Sequence, residues 1–147
     1  MKISIGIMSG VQVITEKGEK NIEYLKPGDK LLNSFNKHVA VKEVRSRIFR
    51  GELLMFNVRN HPSIQCDGEQ MFYTIGDNGE RCFVSAKDLK PKSDLCILYE
   101  NNGKILNEWV QVKSITRVGS SCRYLYGVEL EDGETFTANG YIVRNTK

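Results

Sequence analysis

YLYGVELEDGETFTANGYIVRNT, residues 124–146, holds three short runs, YLYGVELE, ETFTA and YIVR, with turn-forming residues between them. Apolar and polar positions tend to alternate within each run. That two-residue period belongs to β-strands with one buried face, whereas an amphipathic helix repeats every three to four residues. The last run passes almost directly into Asn145, a residue able to do chemistry on its own backbone.

The pattern continues upstream. "VQVIT" precedes the turn "EKGEK", and "KLLNSF" precedes "NK" and "VAVKEVRSRIF". "RNHP" joins "ELLMFNV" to "SIQC", and "GDNG" joins "MFYTI" to "ERCFVS", both suitable hairpin connections. With "LCILYE" and "WVQVKSITRV" the chain reads as about ten short strands, an all-β domain between a sandwich and an irregular barrel. Two stretches suit a single helical turn. One is "NIEYL", with Leu25 tucked inward before Pro27 and Gly28. The other is "SAKDL", with Ser85 as N-cap and Pro91 as the stop. The polar "NNGKILNE" is predicted as a flexible loop. "LKPGDKLL" and "LKPKSDLCIL" share a leucine, lysine, proline, polar turn and apolar strand, which hints at two related halves.

Composition narrows the function classes. At 147 residues the chain is long enough to bury one substantial core, and 40% hydrophobic with 27% charged residues is ordinary for a soluble globular protein. The net charge of +3 comes from 21 basic and 18 acidic residues scattered along the chain, unlike the clustered basic face of a nucleic-acid binder. Cys66, Cys82, Cys96 and Cys122 form no C-x-x-C pair, and His38 and His61 stand at no zinc-site spacing. The cysteines read as buried reduced thiols, and Trp109 and the tyrosines as core or half-buried packing. No apolar run approaches membrane-spanning length, and "MKISIGIM" is too short for a signal peptide, so the expected setting is cytoplasmic.

Three blocks now stand in order: "GIMSGVQVITEKGEKNIEYLKPGDKLLN", then "IQCDGEQMFYT" with "FVSAKDLKPKSDLCIL", then the stretch quoted first. In order and spacing they resemble the conserved blocks of inteins, the self-excising domains of the Hint (Hedgehog/intein) fold, over nearly the whole chain from Gly6 to Thr146. The resemblance implies a horseshoe-like all-β fold with pseudo-twofold halves, of minimal type, with no homing endonuclease inserted near "YENNGKILNE". It implies that residues 6–145 are the splicing domain, with residues 1–5 and 146–147 as upstream and downstream flanks, the whole an uncut precursor. Its substrate would be its own flanking segments, with no cofactor, metal, nucleic acid or membrane, acting as a monomer in a single turnover. The Asn145 side-chain nitrogen would attack its own carbonyl, closing a succinimide and breaking the bond to Thr146. The Thr146 hydroxyl would be the acceptor in transesterification.

Several positions depart from the family pattern. The first residue, normally Cys or Ser, is Gly6, which can form no thioester; Ser9 lies three residues too late. Where the family has T-x-x-H, this chain has Asp67 and Gln70, and an amide cannot move a proton near neutral pH. Gly127 and Glu134 stand where an Asp and a His are frequent. The penultimate histidine is Arg144, able to polarise a carbonyl but not to shuttle a proton. His61 in "NHP" is an alternative for the block histidine. Cys122 lies five residues before the position used by inteins with an internal cysteine, and reads as structural. Gly6 is either a substitution that traps the precursor or the natural residue of a degenerate element. Asn145 cyclisation is the chemistry expected to survive, and direct attack by Thr146 on the Ile5 carbonyl is the remaining upstream route. The competing reading is a Hint-like β-barrel module without chemistry.

Overall fold

In a computed structural model of the chain, residues 5–33 and 37–145 are described, with Ser120 and Ser121 described by their backbone alone. Thr146, the expected downstream acceptor, lies outside the described residues, as do Ser34 and Phe35 of the predicted strand "KLLNSF" and Asn36 of the predicted turn "NK". Twelve strands are present among the described residues: β1 (Ile7–Met8), β2 (Gln12–Thr15), β3 (Gly18–Asn21), β4 (Lys30–Leu32), β5 (His38–Val58), β6 (His61–Cys66), β7 (Met71–Ile75), β8 (Arg81–Ser85), β9 (Asp94–Asn101), β10 (Lys104–Leu130), β11 (Thr135–Ala138) and β12 (Tyr141–Arg144). Two single 3₁₀ turns, Ile22–Tyr24 and Ala86–Asp88, fall in the two stretches predicted for them. Leu25 is buried as expected. Ser85 caps nothing with its side chain; its hydroxyl faces the Met71 sulfur at 3.3 Å.

Strand length is the main departure from the sequence expectation. β5 has 21 residues and β10 has 27, so runs predicted as separate strands are continuous. The predicted loop "NNGKILNE" is instead a tight turn at Asn102 and Gly103, followed by strand from Lys104. Both turn residues adopt positive φ, at 53° and 77°, the backbone of a hairpin turn that Asn and Gly supply at low cost. A straight strand of 21 residues would run about 70 Å. A chain of this length has a radius of gyration of only roughly 15 Å, so β5 and β10 must curl. They pair antiparallel from Val58↔Val112 to Val41↔Leu130, with register shifts between Val112 and Ser114, Val118 and Ser121, and Glu129 and Leu130. Each extra residue adds bend and twist, which wraps the ribbon into a horseshoe.

The strands follow the order β11-β12-β7-β9-β10-β1-β6-β5-β4-β2-β3, with β8 on β7. The halves are related down to single hydrogen bonds. Leu25 N–H reaches Ile22 O in one half, and Leu89 N–H reaches Ala86 O in the other. Gly28 N–H and Asp29 O then bracket Val41 of β5, as Lys92 N–H and Ser93 O bracket Val112 of β10. The two "LKP" stretches therefore start equivalent strands, β4 and β9, in equivalent settings.

The core is aromatic at its centre. Phe56 lies 5.4 Å from Phe72 between ring centroids, and Phe72 lies 6.4 Å from Tyr141, all three fully buried. Not every predicted core residue is inside. Cys66 and Cys96 are buried, but Cys82 is half-buried and Cys122 is exposed on the ribbon. Tyr24, at the end of the first 3₁₀ turn, is 64% exposed, and Tyr124 is 57% exposed because strand alternation puts one face of the β5–β10 ribbon toward water.

Candidate functional site

Four residues, Asp67 to Gln70, connect β6 to β7 and hold both candidate junctions. The turn is built by Asp67, whose Oδ1 accepts the Glu69 and Gln70 N–H groups at 3.1 Å each. An aspartate that bonds its own backbone two and three residues on is the usual reason this residue type starts a turn. The Ala86–Asp88 turn backs it: Ala86 N–H donates to Gln70 O and Lys87 N–H to Gly68 O.

At one end of this turn, β6 pairs with β1 through Cys66↔Ile7, and Asp67 N–H donates to Gly6 O at 2.9 Å. At the other end, β7 pairs with β12 through Met71↔Arg144, and Gln70 Nε2 donates to Arg144 O at 2.9 Å. β10 closes the site from a second side. Its Tyr126 pairs with Ile7, while its Val128 O accepts from Asn145 Nδ2. Gly6 and Arg144, separated by almost the entire sequence, are therefore bonded to opposite ends of the same turn, and their chain neighbours Ile7 and Asn145 meet β10 two residues apart, at Tyr126 and Val128.

The expected site residues other than Thr146 each have a definite environment. Asp67, Gln70 and Asn145 are all buried, at 5%, 1% and 3% exposure. Asn145 N–H donates to Glu134 O at 2.8 Å, which fixes its backbone. Gln70 Oε1 and Asn145 Oδ1 have no hydrogen-bond partner among the described residues. An unpartnered buried acceptor costs about 1–3 kcal/mol, and these two belong to residues joined through the Arg144–Asn145 peptide, while a third such atom, Thr137 Oγ1, lies on β11. Arg144 directs Nε and Nη2 at Glu134 Oε2, at 2.8 and 2.7 Å, and its guanidinium lies over Phe83 at 5.8 Å. His61 is elsewhere: it begins β6, bonds Asn139 O through Nε2 at 2.7 Å and packs edge-on against Tyr141.

The geometry at Gly6 is unusual. A Cβ added there would stand 2.3 Å from Asp67 Oδ1 and 2.8 Å from Asp67 Cγ. The carboxylate occupies the space that any side chain at position 6 would need. Cys66, one residue away, offers no substitute nucleophile, since burial and then the Asp67 charge push its thiol well above the ordinary range.

One site residue was invisible to sequence reasoning. Arg47, in the middle of β5, donates Nε–H to Ile5 O at 2.7 Å and Nη2–H to Asp67 Oδ2 at 2.5 Å. Its guanidinium also stacks 5.1 Å from the Phe49 ring centroid. Nothing in "VRSRIFRG" separates Arg47 from its basic neighbours; only the curl of the ribbon selects it. No group of three His, Cys, Asp or Glu side chains able to hold a metal ion occurs among the described residues. Nor is any helix there long and apolar enough to cross a membrane.

No family model matches the chain, and no curated protein matches it. Solved structures do match, over nearly its whole length. The bacterial intein-like domain from Clostridium thermocellum superposes with a TM-score of 0.76 at 22% identity, covering 99% of each chain. The gp41-1 intein superposes with a TM-score of 0.74 at 21% identity, covering 97% of this chain and 100% of that one. Variant M86 of the Ssp DnaB mini-intein gives 0.76 at 17% identity, with 100% and 97% covered. The architecture is thus the all-β Hint fold of the inteins. Within it the chain has the size and continuity of a mini-intein, β9 running into β10 through two residues.

Proposed function

We propose that the chain is an autoprocessing, protein-splicing element of minimal intein type whose substrate is its own backbone, and that Asn145 cyclisation is its surviving reaction. Residues 6–145 form the element, and residues 1–5 and 146–147 belong to the flanks. The observation that carries this reading is the state of Asn145. Its side chain is buried, its Nδ2 is bound to Val128 O, and its Oδ1 is without a partner among the described residues.

In the reaction Nδ2 attacks the Asn145 carbonyl carbon, a five-membered ring closes, and the bond to Thr146 breaks. The proton leaving Nδ2 ends on the Thr146 amine. Donation to Val128 O leaves electron density on the amide nitrogen, and the Glu134 and Gln70 bonds hold the backbone on either side of the Arg144–Asn145 peptide. Nucleophile and electrophile belong to one residue, so fixing the rotamer supplies much of the catalysis. No titratable side chain is hydrogen-bonded to the Asn145 amide among the described residues, so the reaction is slow. Upstream, Gly6 provides no nucleophile, and the ordinary acyl shift is absent.

Intact-mass measurement of the full chain over days, from pH 6 to 9, tests this. The expected product ends in a succinimide, or in Asn or isoAsn after hydrolysis, and lacks the residues after Asn145. Asn145→Ala abolishes it. A full-length mass at every pH favours the reading as a Hint-like module without chemistry.

A further inference from the structure

We infer that Arg47 is a catalytic residue of the upstream junction: its guanidinium is the oxyanion donor for attack on the Ile5 carbonyl, and Asp67 is the positioning residue that holds it there. The inference rests on the reading of the chain as a splicing element.

Arg47 reaches the junction with two donors of one planar fork. Nε–H meets the resting Ile5 carbonyl oxygen at 2.7 Å, a short bond from a charged donor, while Nη2–H is fixed on the buried Asp67 carboxylate. The Phe49 ring packs on one face of the guanidinium. The donor is therefore orientated before any reaction begins, and the hydrogen bond strengthens as the carbonyl oxygen gains charge. Lysine offers no equivalent, because a point ammonium cannot hold two acceptors in one plane.

Gly6 is part of this arrangement. Asp67 sits where a side chain at residue 6 would project, so loss of the first-position nucleophile and gain of the Arg47–Asp67 pair are one structural choice. The attacking group must then come from another residue or from an added nucleophile. In the element itself it is the Thr146 hydroxyl. Its oxygen bonds to the Ile5 carbonyl carbon, the bond to Gly6 nitrogen breaks, and the hydroxyl proton ends on the Gly6 amine, leaving an ester.

Two measurements test the assignment on the full chain. Ile-Gly occurs at two places, Ile5–Gly6 and Ile75–Gly76, so ¹³C-carbonyl isoleucine with ¹⁵N-glycine gives two resolved carbonyl resonances in a triple-resonance spectrum. Arg47→Gln is expected to move the Ile5 resonance upfield and leave that of Ile75 unchanged, with Arg47→Lys as a second variant retaining charge. The second measurement uses neutral hydroxylamine as the attacking amine, with mass analysis for the fragment beginning at Gly6. Its rate is expected to fall by about 100-fold in Arg47→Gln, the usual effect of removing one oxyanion donor. Cleavage after Asn145 is read in the same spectra. An unmoved Ile5 resonance, an equal rate in parent and variant, or no Gly6 fragment from the parent overturns the assignment of Arg47. Loss of the Asn145 cleavage from every sample instead overturns the splicing reading on which it rests.

Discussion

Gly6 and Asp67 share one volume. A methyl group at position 6 would overlap Asp67 Oδ1 at 2.3 Å, and that oxygen is tied to two backbone N–H groups, so the carboxylate cannot simply swing aside. Gly6→Ala should cost about 1–3 kcal/mol, the usual range for overpacking. In Asp67→Ala the same substitution should cost much less, giving a coupling energy well outside the additivity expected of independent sites. Urea denaturation of the four proteins measures it, and additive costs would mean that the side chains do not compete for this space. For the same reason Gly6→Cys alone should restore no upstream chemistry, because a thiol needs the space that Asp67 fills.

At the scale of elements, the paired turns before β4 and β9 differ in two instructive ways. In the first turn Asp29 Oδ2 accepts Lys26 N–H at 2.9 Å; in the second Ser93 Oγ accepts Lys90 N–H at 3.0 Å. The Lys26 N–H, followed by the Lys20 ammonium, holds the Asp29 carboxyl below its ordinary range. A carboxyl depressed in the folded state stabilises the protein above its unfolded pKa, and that stability is lost as pH falls through the folded value. Asp29→Asn should therefore weaken the pH dependence of stability below about pH 4 and leave it unaltered near neutrality. Urea midpoints at pH 3 and pH 7 show this; an unchanged acid limb would remove Asp29 from the account. The second difference is backbone strain. Gly28 has φ 95°, where glycine is at ease, but its counterpart Lys92 holds φ 76° with a side chain attached. Lys92→Gly should stabilise the protein by about 0.5–1 kcal/mol, the left-handed penalty less the added chain entropy of glycine. A lower urea midpoint in Lys92→Gly would show that the lysine side chain contributes more than its strain costs.

For the whole molecule, the Phe56–Phe72–Tyr141 cluster links β5 of one half to β7 and β12 of the other. Phe72→Ala should cost about 3–5 kcal/mol. Since Phe72 pairs with Val143, two residues before Asn145, it should also slow cleavage after Asn145 at temperatures where the fold persists. Thermal unfolding together with intact mass separates the two effects. Destabilisation without slower cleavage would mean that the site is indifferent to its support. Tyr141 is anchored in the same cluster by its hydroxyl on Pro62 O at 2.7 Å, and burial pushes that phenol well above its ordinary range.

The sequence alone determined the strand character, the two 3₁₀ turns, the related halves and the block order that pointed to the Hint fold. All of these follow from local periodicity, turn chemistry or motif spacing. It could not determine the length of β5 and β10, because a bulged strand and two strands joined by a short turn show the same alternation. Nor could it show that Cys122 and Tyr124 face water, which depends on which side of the ribbon meets the core. Only the tertiary structure selected Arg47 from a run of arginines and set the Asp67 carboxylate in the space beside Gly6. Contacts between residues 5, 47 and 67, and between 128 and 145, arise from how a curled ribbon closes on itself, and a linear pattern carries no record of that closure.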